Sequence, residues 1–81
     1  MNDEEIAEQY KLIGHNVAKF RKDRGVSQLD LSLSLGHKSV SIVASAERFY
    51  KGKHFNIEHL LKISKILNIP IASFFESQDF N

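Results

Sequence analysis

Apolar residues enter the chain as a stripe. Ile6, Tyr10, Ile13, Val17 and Phe20 recur at steps of four, three, four and three, the spacing that lines side chains along one face of an α-helix. Asn2 or Asp3 is placed to cap it, acidic residues fill its first turn, Arg21, Lys22 and Arg24 its last, and Gly25 offers a left-handed stop. These signals agree on a helix over residues 4–24. Ser27 is the next cap, with Asp30 three residues on in a capping-box-like position. Leu31 and Leu35 give this second helix an inward face, and Gly36 ends it after barely two turns. Ser39 is the predicted cap of a third helix of similar length running to Glu47, with Ile42, Val43 and Ala46 on or beside one face. Residues 48–56 carry Tyr50, Gly52 and Phe55 without a helical period and read as a loop. Asn56 caps a fourth helix, where Ile57, Leu60, Leu61, Ile63, Ser64 and Leu67 build a broad apolar face; Pro70 stops it and opens a last turn over residues 71–75. The expected fold is all-α: a compact five-helix domain in which two short helices meet at a glycine turn.

Composition narrows the picture. Eighty-one residues, 42% of them apolar, have room for one core. Residues 1–9 read as the acidic start of the first helix or a partly disordered lead, 10–76 as the domain and 77–81 as a tail. The absence of cysteine excludes a disulfide framework and thiolate metal sites, and suits a reducing cytoplasm. The opening MNDEEIAEQY is acidic where a signal peptide is basic. No apolar run approaches the roughly 20 residues of a membrane span, so a cytoplasmic protein with no membrane partner is expected.

A net charge of +1 conceals an uneven distribution. Asp3, Glu4, Glu5 and Glu8 lie within residues 1–9, Glu76 and Asp79 within 70–81. All eleven Lys and Arg and the other four acids lie between them, so the interior carries +7. A basic middle between acidic ends is the electrostatic footprint of a phosphate binder; the acidic ends read equally well as solvated tails. Catalysis is the poorest fit, with no nucleophile elbow, no glycine-rich phosphate loop and no confined carboxylate pair. His15, His37, His54 and His59 contain no i, i+4 pair on one helix, so neither a metal nor another cofactor is expected.

A short helix, a glycine turn and a second short helix form the arrangement that lays its second helix in the DNA major groove. The segments IGHNVAKFRKDRGVSQLDLSLSLG, SVSIVASAE and NIEHLLKISKILNIPIASFF resemble the lambda-repressor and Cro-like (XRE) helix-turn-helix family over about residues 12–76. The resemblance implies a buried ion pair between Arg21 and Glu47, a phosphate or flanking-base contact from Gln28 beside the Ser27 cap, and a bacterial or phage-type, nucleoid-associated regulator of repressor type. Its partner would be double-stranded DNA, bound through a short palindromic operator. Aligned from Glu47, the recognition helix would present Ser39, Val40, Ser41, Ala44 and Ser45, with Val43 and Ala46 turned inward. None of these is an Arg, Gln or Asn able to make a bidentate base contact, so readout would lean on His37, Lys38 and DNA shape. The turn holds one residue more than the family's usual one, which leaves two groove-facing registers open.

The loop after Glu47 is about two residues longer than the family's. Its Arg48, Lys51, Lys53 and His54 are expected near phosphates, and Phe49, Tyr50 and Phe55 as lids over the core edge. At the C-terminus Ile69, Ile71, Phe74, Phe75 and Phe80 exceed what one turn can bury. Two or three would close the monomer's core and the rest, with Ile69, Ile71, Phe74 and Phe75 as the candidate set, would form the twofold interface of a homodimer. The alternative function, from a different class, is a protein-interaction module or antitoxin-like partner binder with the same fold and weak DNA readout.

Overall fold

The N-terminal stripe folds as α1 (Asp3–Asp23) in the computed structural model, which describes residues 1–77. Asn2 caps it: its side chain accepts the Glu5 N–H at 2.8 Å while the Glu5 carboxylate accepts the Asn2 N–H at 3.2 Å. This reciprocal pair satisfies two of the amides that every helix start leaves without intrahelical partners. Arg24 and Gly25, the latter at φ 70°, end α1. The Arg24 guanidinium then reaches across the fold to donate to Leu67 O at 2.8 Å and Asn68 O at 3.2 Å. One residue thus closes α1 through its backbone N–H and, through its side chain, supplies positive charge at the carbonyl end of another helix.

Three further helices follow, α2 (Gln28–Ser34), α3 (Ser41–Arg48) and α4 (Ile57–Leu67), with 3-10 turns at Tyr50–Gly52 and Ile71–Phe75. Among the described residues these are all the regular elements. The fifth predicted helix is therefore a single 3-10 turn, as a five-residue stretch behind Pro70 allows. Ser27 Oγ accepts the Asp30 N–H at 3.0 Å, so the expected cap of α2 is present, without a return bond from the Asp30 side chain.

The predicted start of α3 requires correction. Ser39 is not its N-cap; that position is held by Val40, already in the right-handed helical region and offering no side-chain cap. Ser39 Oγ makes a local, long contact of 3.4 Å with the Ser41 N–H, the kind of hydroxyl turn that competes with helix nucleation. Helix α3 consequently begins one residue late and extends one residue further, so Arg48 is its last residue and not the first of a loop.

The core draws Ile13 and Val17 from α1, Leu31 and Leu35 from α2, Val43 and Ala46 from α3, and Leu60, Ile63 and Leu67 from α4, closed by Phe55 and Phe74. Phe74, 0% exposed, packs edge-on against Phe20 at 6.0 Å between ring centroids. It therefore cannot belong to an intermolecular surface. Ile69 and Ile71 are half-buried against the same core, and only Phe75, 43% exposed, remains outward from the predicted interface set; Phe80 lies outside the described residues. The turn carrying Phe74 is clasped by Asn16, wholly buried on α1, whose Nδ2 donates to Phe74 O at 2.9 Å and Glu76 O at 2.8 Å. Among the described residues no helix is long and apolar enough to cross a membrane.

Candidate nucleic-acid interface

Glu47 organises the region around α3. Arg21 donates to it through Nε (2.7 Å to Oε2) and Nη2 (3.1 Å to Oε1), and Arg21 Nη1 reaches Val26 O at 2.8 Å. Both side chains are more than nine-tenths buried. A two-pronged guanidinium–carboxylate contact with a further N–H bonded to a backbone carbonyl is the geometry in which a desolvated pair holds position. The pair implied by the family resemblance is thus formed, and it fixes the C-terminal turn of α3 to α1.

Gln28 departs from its expected role. Its Nε2 donates to Glu47 Oε1 at 2.9 Å, adding a third donor to the carboxylate and tying the first residue of α2 to the last turn of α3. The amide points into the ion pair, not outward to a phosphate. Ser27 is exposed and spends its hydroxyl as the α2 cap.

Helix α3 turns Val43, Ala46 and Glu47 inward. On the opposite side Ser41, Ala44, Ser45 and Arg48 fall at i, i+3, i+4 and i+7, a single stripe, with Ser41 and Arg48 exposed and Ala44 and Ser45 half-buried. The preceding turn adds exposed Lys38, Ser39 and Val40, while His37 is half-buried. The fold brings Lys38 and Lys53, distant in sequence, to one shallow depression with His37, Ser39, Ser41 and Ile42.

Between α3 and α4 the chain is tightly wound. Phe49, Lys51 and Gly52 have φ of 55°, 53° and 78°, a left-handed conformation that costs a side-chain-bearing residue roughly 1–2 kcal/mol. Tyr50, 45% exposed, has two cations against its ring: Arg48 Cζ lies 5.2 Å and Lys51 Nζ 5.4 Å from its centroid. His54, expected near phosphates, turns inward instead. It stacks on Tyr10 at 3.7 Å, and its Nδ1 lies 3.0 Å from Gly52 O. Phe55 is buried and Phe49 half-buried in parallel offset with Tyr10, so two of the three loop aromatics cover the core edge and Tyr50 does not.

No family model matches the chain, and neither a curated protein nor a solved structure does.

The electrostatics of the face follow from this placement. From Leu31 to Ile57 the only acidic residue is Glu47, and it is buried against Arg21. The turn, α3 and the loop therefore present Lys38, Arg48, Lys51 and Lys53 without an exposed carboxylate of their own. Tyr50 was not singled out as a site residue by sequence reasoning, since nothing in its spacing sets it apart from Phe49 and Phe55. Asn16 was also missed, although a polar residue between Ile13 and Val17 on the apolar side of a helix was a visible signal.

Proposed function

We propose that the protein is a DNA-binding transcriptional regulator of the helix-turn-helix type, with α2 and α3 as the motif and α3 laid in the major groove. The observation that carries this reading is the stripe of Ser41, Ala44, Ser45 and Arg48 flanked by Lys38, Lys51 and Lys53 on a segment, residues 31–57, whose single carboxylate is buried. Small side chains let a helix approach base edges closely, and the flanking cations neutralise phosphates. Arg48 supplies the planar fork that recognises guanine, at the end of the helix instead of its beginning. Base discrimination is correspondingly modest, and DNA shape contributes the rest.

Action as a repressor-like homodimer on a palindrome belongs to the same reading. Phe75 stands beside Ile57 on a groove also lined by Tyr10, Ile13 and Leu60, an apolar edge available to a twofold mate. Paired copies of α3 would then sit about 34 Å apart, one DNA turn. A second reading, a protein-interaction module, draws on Leu29 and Leu33, exposed one turn apart on α2.

Selection of bound duplexes from a random pool at near-physiological salt tests the first reading. It expects enrichment of a short palindrome, with Lys51→Ala and Lys53→Ala each lowering the salt-dependence slope by about 1. Binding that is absent, or indifferent to salt, overturns it in favour of the protein partner.

A further inference from the structure

Helix α4 begins with a capping box of unusual chemistry. Asn56 Oδ1 accepts the His59 N–H at 2.7 Å, and His59 Nδ1 lies 3.1 Å from the Asn56 N–H as its acceptor. Glutamate or glutamine ordinarily takes this third position, and neither gains a proton near neutral pH. An imidazole does. The Asn56 N–H needs a lone pair on Nδ1, so the ring closing the box is neutral and carries its hydrogen on Nε2. Protonation places a second N–H where the lone pair was, donor against donor, and adds positive charge to a helix N-terminus that favours negative charge.

The same ring touches the turn before α3. The centroids of His37 and His59 are 6.0 Å apart with the rings tilted by 59°, and Phe55 meets His59 edge-on at 6.1 Å. His37 lies in the α2–α3 turn, beside Lys38 and Ser39 on the depression described above. A positive charge on His59 is therefore set against the element that leads into α3.

We propose that His59 is a proton-operated latch: neutral, it closes the capping box of α4 and seats the His37 ring; protonated, it opens the box and loosens the α2–α3 turn from α4. The device does not depend on whether α3 reads DNA. Burial is the main reason the His59 pKa lies below its ordinary value, followed by the facing His37; Glu58 on α4 acts in the opposite direction, and Lys62 on α4 and His54 before it lower it further. The folded state thus resists the proton that the unfolded chain accepts at about 6.5. The latch's contribution to stability is complete above that value. It is lost as pH falls from there to the lowered folded value, at most about tenfold in the folding constant per pH unit for one proton.

Nuclear magnetic resonance titration of the full chain tests the proposal. In the wild type the Asn56 amide and the His37 resonances are expected to shift with a component at the His59 midpoint, below the ordinary imidazole value. His59→Gln retains an acceptor that does not titrate, so the Asn56 amide should become insensitive to acid and the acid-side loss of folding should shrink. His37→Gln, which leaves the box intact, should move the His59 midpoint upward. An Asn56 amide that ignores the His59 midpoint in the wild type overturns the latch, and a His59 midpoint unmoved by His37→Gln overturns its connection to the turn.

Discussion

At Gly14 the backbone of α3 comes close against α1, and replacing the glycine by alanine sets two effects of opposite sign against each other. Alanine is the better helix former by about 1 kcal/mol, so on an exposed helix the change stabilises. Here the new Cβ would lie 2.5 Å from Ala46 O, 2.8 Å from Glu47 O and 3.0 Å from the Glu47 carbonyl carbon. An ordinary carbon–oxygen contact is about 3.3 Å or longer, so α3 would have to retreat by roughly 0.8 Å. All three obstacles are backbone atoms, and no rotamer change relieves them. The retreat unseats Val43 and Ala46 and draws Glu47 away from Arg21 and Gln28, which now hold it at 2.7 and 2.9 Å. Overpacking in a filled core costs about 1–3 kcal/mol, occasionally more, and strain on the buried ion pair adds to it. The steric loss exceeds the propensity gain, and Gly14→Ala is expected to destabilise the fold by about 1–3 kcal/mol. Against a total of about 4–12 kcal/mol for a domain of this length, that is a large share. Urea unfolding followed by circular dichroism reads it as a lower midpoint with an unchanged slope. Stability equal to or above the wild type would refute the argument, because it would mean that the α1–α3 spacing yields to a methyl group.

Three other substitutions probe the remaining contacts. Glu47→Ala strands a buried Arg21 and should cost about 3–5 kcal/mol in thermal unfolding, whereas the double change Arg21→Met with Glu47→Leu should return to within about 1 kcal/mol of the wild type; a single mutant costing less than 1 kcal/mol would contradict the burial of the pair. Asn16→Ala removes the donor to the Phe74 carbonyl, at about 1–3 kcal/mol for an unsatisfied buried group, and should make the chain end at Phe74 the first point of proteolytic attack. Unchanged protection there would show that Phe74 packing alone holds the turn. Lys51→Gly relieves a left-handed φ of 53° on an exposed side chain and should raise stability by about 0.5–1 kcal/mol. Under the proposed function it should also weaken DNA binding, and a gain in both properties would count against a phosphate role for Lys51.

How much was legible beforehand depended on whether a signal was local. Asn2, Ser27 and Asn56 were readable as caps because a cap joins residues three apart, and the 3.5-residue rhythm of α1 spans four turns. The start of α3 was not readable. Ser39 carries the composition of a cap, but its hydroxyl is used in a two-residue turn, and nothing in the composition distinguishes the two uses. The His59 half of the α4 box escaped for the opposite reason, since histidine is absent from the usual alphabet of that motif. Assigning Phe74 to the surface and Gln28 to a phosphate failed on tertiary grounds. The first is decided by Asn16, 58 residues away, and the second by the third lone pair of Glu47. Periodicity and turn signals placed the helix after the glycine turn to within one residue at each end, and only the folded chain assigned each side chain a direction.

The clasp at Asn16 also bears on the order of events during synthesis. Its amide is synthesised 58 and 60 residues before the two carbonyls it serves, at Phe74 and Glu76. Until the last turn arrives, the Asn16 amide lacks its acceptors and the slot for Phe74 stands open beside Phe20. A nascent chain that has completed α1 to α4 thus holds a helical but unsealed assembly, and its cooperative closure waits on contacts of the longest sequence separation it makes. Truncation anywhere before Phe74 would remove both the ring that packs on Phe20 and the carbonyls that Asn16 serves, and so leave that seam exposed.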